Sequence, residues 1–226
     1  MNLRPVPRSA GLSDQVIAQL RAQIASGAWP VGTRVPTEPE LVARLGVARN
    51  TVREAVRALA HNGLLDIRQG AGTYVVATSE LAGVMRRRFE GAPQRDVVEV
   101  RASLETAAAG LAAARRTAAD LDRMDALLAR RDEAWATGDP DAFADADAAF
   151  HLSVVAASHN EVLSGLYADL GEVVRASLRD FFGAGLDQAG YMDHARLVEA
   201  IRAGDAPSAA AEAAAHTATC PPAPPA

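Results

Sequence analysis

The sequence predicts a mainly α protein in two parts: three helices with a β-hairpin, then an all-α antiparallel helical bundle. Three observations predict it. Aromatic residues make up 4% of the 226-residue chain and hydrophobic residues 49%, so the cores must be built from Ala, Leu and Val, as in packed helices. Apolar residues recur at three- and four-residue intervals along most of the chain, and β-prone runs are confined to about residues 64–76. Charge divides the chain: residues 1–78 hold nine Arg against five acids, and residues 79–226 hold 14 Arg against 23 acids. A basic front and an acidic rear imply two domains with different partners, the front one suited to a polyanion.

The elements follow in order. Residues 1–12 form a Pro- and Arg-bearing arm. Ser13 is the expected N-cap of a helix reaching Ser26, with Val16, Leu20 and Ile24 on one face and Gly27 as the stop. In "TEPE", Thr37 caps a short helix, Pro39 sits in its first turn and Glu40 reaches back, and Gly46 ends it. "LGVARNTVREAVRAL" (45–59) is the next helix, stopping at "HNG". "LLDIR", "QGAG" and "TYVV" then make a hairpin around a glycine turn. From about Glu80 only helical patterning remains, with helices expected at 80–90, 96–115, 118–136, 140–157, 160–182, 190–203 and 206–219. Short breakers such as "TGDP" and "AGD" make successive helices antiparallel neighbours. The expected domains are 1–78, 79–220 and a disordered Pro-rich tail, 221–226, in "CPPAPPA".

Cys220 has no partner in the chain, which excludes a disulfide framework. The N-terminus lacks the apolar core of a signal peptide and no 18-residue apolar run occurs, so a cytoplasmic protein without membrane contact is expected. Every cationic residue among the 23 is Arg, in an Ala-rich chain, so Arg alone marks no site.

Arrangement does mark one. In the 45–59 helix, Val52, Ala55, Val56 and Leu59 share a core-facing stripe, while Arg49, Asn50 and Arg53 share the opposite side. Arg bonds guanine O6 and N7 and Asn bonds adenine in a major groove. Thr51, Gln69 and Gly70 stand where they can meet phosphates or the minor groove. A solvated face of ordinary arginines explains the helix by itself. The preceding capped helix, tight turn, hairpin and local positive balance together select a winged helix-turn-helix that binds double-stranded DNA. "GTRVPTEPELVARLGVARNTVREAVRALAHNGLLDIRQGAGTYV" resembles the DNA-binding domain of GntR-type transcription regulators over about residues 12–76. That resemblance implies phosphate or base roles for Arg34, Arg49, Asn50, Thr51, Arg53 and Gln69. Two positions depart from it: Ala48 replaces a capping Ser or Thr, and Pro39 replaces a polar residue that touches DNA in some members.

A second arrangement points to a metal. "DADAAFH" places Asp147 and His151 one turn apart on one face. His194 and His216 flank the turn "AGDAPS" at equal distance, each about 15 Å from it along its helix, which sets them side by side. Nitrogen and oxygen donors of this kind suit Zn²⁺, with Ni²⁺, Mn²⁺, Co²⁺ or Fe²⁺ as options. Spacing alone leaves an ordinary reading open: an i,i+4 Asp–His hydrogen bond and two helix-end histidines. His61 and His159 read as helix-end and surface residues. The stretch from "VVEVRASLE" through "DADAAFHLSVVAASHN" to "HARLVEAIRAGDAPSAAAEAAAH" is similar to the FCD ligand-binding domain of the FadR branch of GntR regulators. The similarity implies metal-ligand roles for Asp147, His151, His194 and His216, and a cavity for small organic acids. It also implies effector-binding roles for Arg101 and Asn160; for Arg101 an ion pair with Glu105 is the competing reading. Pro221 arrives sooner after His216 than the family pattern has it, so the last helix is expected to fray early.

The expected whole is a homodimeric regulator reading an inverted repeat, its operator affinity set by a small carboxylate effector at or near a divalent metal, and not an enzyme. A metal-dependent hydrolase or lyase, and a constitutive DNA binder with a structural metal, are the alternatives. Against the enzyme, no further acid or Lys stands at motif spacing as a general base.

Overall fold

A computed structural model of the chain describes residues 11–183, 185–186 and 191–218. The arm before residue 11, Cys220 and the tail at 221–226 lie outside the described residues. The chain forms two compact units that divide between Arg88 and Phe89. The division falls later than the expected one at 78/79 because the helix after the hairpin belongs to the first unit.

In the first unit, α1 (Leu12–Ala25), α2 (Glu38–Leu45) and α3 (Arg49–His61) are followed by β1 (Leu65–Arg68), β2 (Gly72–Val75) and α4 (Glu80–Arg88). Gly11, not Ser13, caps α1, because Asp14 at the third helical position accepts the Gly11 N–H at 3.1 Å. Glu40 closes the cap of α2 by accepting both the N–H and the hydroxyl of Thr37, each at 2.7 Å. Gly46 ends α2 in the left-handed region at φ 66°, which only glycine adopts without cost. Ala48 precedes α3 and gives it no side-chain cap. The predicted stripe is the core: Val52, Ala55, Val56 and Leu59 are all buried against Val16, Leu20 and Ile24 of α1. The hairpin is antiparallel, with Leu65 opposite Val75 and Arg68 opposite Gly72, and Arg34 adds a bridge to Tyr74. Glu80 of α4 accepts hydrogen bonds from Arg21 (2.5 Å) and Asn62 (2.9 Å), and Gly83 lies against the Gly63 backbone where a Cβ would not fit.

The second unit comprises α5 (Gln94–Arg115), α6 (Ala118–Thr137), α7 (Pro140–Ala156), α8 (Glu161–Phe182), α9 (Ala195–Ala203) and α10 (Ala206–Ala218). Thr117, Asp139 and Asn160 cap α6, α7 and α8 through their side chains. Successive helices pack as neighbours in α6–α7, α7–α8 and α9–α10. The long α5 departs from that expectation, because it lies centrally against α7, α8, α9 and α10. Its buried face is Ala108, Ala109, Ala112 and Ala113, small enough for several helices to approach at once. No helix among the described residues is long and apolar enough to cross a membrane.

Candidate functional site

On the first unit, the predicted DNA-reading residues are exposed or half-buried. Arg49 and Asn50 are exposed at the start of α3, and Thr51 and Arg53 are half-buried beside them. Arg53 Nη2 donates to Asn50 Oδ1 at 2.5 Å, which orders both side chains before any base is met. Arg49 makes one long contact, 3.3 Å to Glu38, and keeps 69% of its side chain in solvent. A pair that exposed is worth little and yields readily to a phosphate or base. The hairpin turn carries exposed Gln69 and Gly70, with Gly70 at φ 76°. Arg34 is exposed next to it, and its guanidinium lies over Gly72 where a Cβ would collide. Arg68, which sequence reasoning missed, is held on the same hairpin, its Cζ 4.4 Å from the Tyr74 ring centroid and its Nε 2.9 Å from Asp66. The signal was present: Arg68 borders the glycine turn and pairs by position with the strand carrying Tyr74.

The second site lies inside the bundle. Asp147 and His151 project from α7, and His194 stands at the N-terminus of α9, all three buried. Ligand atoms of these three lie within 4.8 Å of one another, the spacing of groups that can share an ion. His216 of α10 reaches the same place differently: its ring stacks on His194 with centroids 3.9 Å apart and 19° between planes. The two histidines on either side of the α9–α10 turn thus do meet.

Surrounding charges fix the donors. Glu105 Oε2 is 2.8 Å from His151 Nδ1, while Glu105 Oε1 accepts from Arg101 Nε and from Tyr167 Oη, both at 2.5 Å. Asp147 is held on both oxygens, by Arg101 Nη2 at 2.9 Å and Arg131 Nε at 2.8 Å. Arg131 also donates to the Met192 carbonyl at 3.1 Å. Burial by itself would raise the Glu105 carboxyl, but Arg101 and His151 outweigh it and hold it at about 2. Asp147 is likewise held well below the usual carboxylate range, burial being overcome by His151 and Arg101. His194 is pushed down to about 2, by burial first and then by His151 and Arg131, so its imidazole is neutral. The Met192 carbonyl, 2.9 Å from His194 Nδ1, can only accept; the proton therefore sits on Nδ1 and leaves the Nε2 lone pair for a ligand. The His151 ring is held above its ordinary value, because Glu105 and Asp147 overcome burial.

Arg101 is therefore neither a surface residue nor a simple partner of Glu105: it bridges Glu105 and Asp147 inside the cluster. Asn160 starts α8, its Oδ1 accepting the Leu163 N–H at 3.2 Å as the helix cap. His159 is a surface residue, 2.8 Å from Asp120. Sequence reasoning missed Arg131 and Tyr167, and saw Glu105 only as a neighbour of Arg101. Arg131 had a readable signal. It falls on the stripe of Met124, Leu128 and Trp135, at spacings of four, three and four, where an apolar residue is expected.

Both units match known protein families. Residues 12–75 match the gntR family of bacterial regulatory proteins, and residues 96–219 match the FCD domain. An Escherichia coli (strain K12) regulatory protein named for an L-lactate dehydrogenase operon is 30% identical over 218 residues, covering 91% of this chain and 83% of that protein. The galactonate operon transcriptional repressor of the same organism is 31% identical over 209 residues, covering 87% and 90%. Among solved structures, Streptococcus agalactiae GntR aligns with a TM-score of 0.52 at 28% identity, over 92% of this chain and 97% of that one. With both halves matched and the relatives named as regulators, the enzyme alternative falls: the chain belongs to the gntR family of bacterial regulatory proteins, in the branch with an FCD domain, and is a DNA-binding transcription regulator.

Proposed function

We propose that this regulator senses a small carboxylic acid at or beside a divalent metal, zinc first among the candidates, held by Asp147, His151 and His194 with His216 alongside. The convergence of three buried donors within 4.8 Å carries the reading. The residues fit the group: a carboxylate held ionised and an imidazole held neutral with its Nδ1 already bonded are the forms that ligate. A divalent ion bound there would supply a Lewis-acidic point for a carboxylate. Arg101 and Arg131 already balance Glu105 and Asp147, so an added dication leaves positive charge that an anionic effector offsets. Arg101, which bridges Glu105 and Asp147 inside the cluster, is the residue proposed to pair with the acid. Relatives named for L-lactate dehydrogenase and galactonate operons support an acid as the effector.

The acting species is a cytoplasmic homodimer that places two α3 helices in successive major grooves of an inverted repeat. Arg34, Arg49, Asn50, Thr51, Arg53, Gln69 and Gly70 make the DNA contacts. Binding of the acid changes operator affinity to the extent that it prefers one arrangement of the dimer, typically by about 1–3 kcal/mol. Calorimetric titration of L-lactate and D-galactonate into zinc-loaded protein, with and without operator DNA, tests the reading. Saturable heat that shifts with operator supports it; heat unaffected by operator leaves a structural metal, and silence from every acid tried contradicts the sensor.

A further inference from the structure

Trp135 is 5% exposed, and its indole Nε1 is buried with no hydrogen-bond partner among the described residues. An indole nitrogen only donates, and native interiors pair nearly all such donors, because desolvation without a partner is unfavourable. The ring itself is well placed. It meets Phe143 edge-on at 4.8 Å, Tyr191 at 5.6 Å and Phe182 at 6.0 Å. One turn earlier on α6, Arg131 lies over two of those rings, 4.9 Å from Phe143 and 5.7 Å from Tyr191. The same guanidinium bonds Asp147 at 2.8 Å. A single buried cation therefore touches the metal-donor set on one side and shares an aromatic wall with an unpaired donor on the other.

We propose that Trp135 Nε1 is an effector-binding donor, taking an acceptor oxygen of an acid whose carboxylate is held at the Asp147–His151–His194 centre. The inference rests on the metal-and-acid reading above and narrows its ligand class. A donor-only group set among aromatic rings favours an oxygen over a methylene at that point, since only the oxygen satisfies it. The effector is then an oxygenated acid, with hydroxyl, keto or second carboxylate groups beyond its first carboxylate, long enough to extend past Arg131. A hydroxylated six-carbon acid belongs to this class, and the unsubstituted acid of equal length does not.

The test uses zinc-loaded full-length protein, titrated by calorimetry with D-galactonate, L-lactate and hexanoate, alongside the Trp135→Phe variant. The variant keeps a ring of similar packing and removes the N–H. Expected is a loss of about tenfold in affinity for D-galactonate, the effect of one hydrogen bond. Metal content, far-UV circular dichroism and melting temperature should stay as in the parent, and hexanoate should be no better a ligand for one protein than for the other. Equal D-galactonate affinity in the two proteins overturns the inference and leaves the metal-and-acid reading standing. No binding of any acid to the zinc-loaded parent overturns that reading and takes this inference with it. If Trp135→Phe does not fold, the parent's indole Nε1–H resonances decide: a downfield shift of the Trp135 signal on saturation with a bound acid supports the proposal, and an unmoved signal overturns it.

Discussion

Arg49 and Arg131 are the same side chain put to opposite uses. Arg49, at the start of α3, keeps 69% of its surface in water and holds one weak contact. Arg131, in the bundle, is 1% exposed and bonded to Asp147 and the Met192 carbonyl. Water solvates the first at almost no cost to the fold, so its charge stays available for a polyanion. The second must be matched within the protein, and so must Arg101, Glu105 and Asp147 around it. The head leaves Arg49 almost free in water, whereas the bundle arranges its charges into a balanced cage.

The largest test of that contrast is Arg131→Ala, which leaves the buried Asp147 carboxylate with one cation fewer. It should destabilise the second unit by about 3–5 kcal/mol, read by urea denaturation, whereas Arg49→Ala should leave the unfolding curve in place. A cost below about 1 kcal/mol for Arg131→Ala would mean that the cage is not matched as described. Acid probes the same cage without mutation. Glu105 titrates at about 2 in the folded chain against an ordinary 4.5, so its contribution is complete above pH 4.5 and is lost as pH falls toward 2. That contribution is up to about 3 kcal/mol, and metal-free protein melted across this window should show the loss in the bundle.

On the head the effect belongs to binding. Arg53→Ala should weaken operator affinity by about 1–3 kcal/mol at moderate salt with no change in melting temperature. Unchanged affinity would remove Arg53 and its ordering of Asn50 from the interface. The smallest expected effect is a gain: Ala48→Ser restores a side-chain cap to α3 and should stabilise the head by about 0.5–2 kcal/mol, measurable as a raised midpoint of its unfolding.

The same contrast explains what could be read in advance. A helix whose apolar residues form one stripe and whose cations form another declares itself in one dimension, so α3, its Gly46 turn and the hairpin were legible from residues 37–76. Asp147 and His151 were legible for the same reason, being one turn apart. The cage was not, because Glu105, Tyr167, Arg131 and Asp147 come from four helices and only packing brings them together. The central place of α5 escaped too, since short connections suggest pairing of successive helices while the small face at Ala108–Ala113 permits many neighbours. The division at Arg88 reflects Glu80 and Gly83 docking α4 onto the head, a tertiary choice that composition does not announce.

The most direct test of the central claim is the metal content of purified full-length protein beside His151→Ala, measured by inductively coupled plasma mass spectrometry. The account predicts about one divalent ion per parent chain and its loss from a variant that remains helical and still binds operator DNA. Equal metal in the two proteins, or none in the parent after incubation with zinc and desalting, would contradict it.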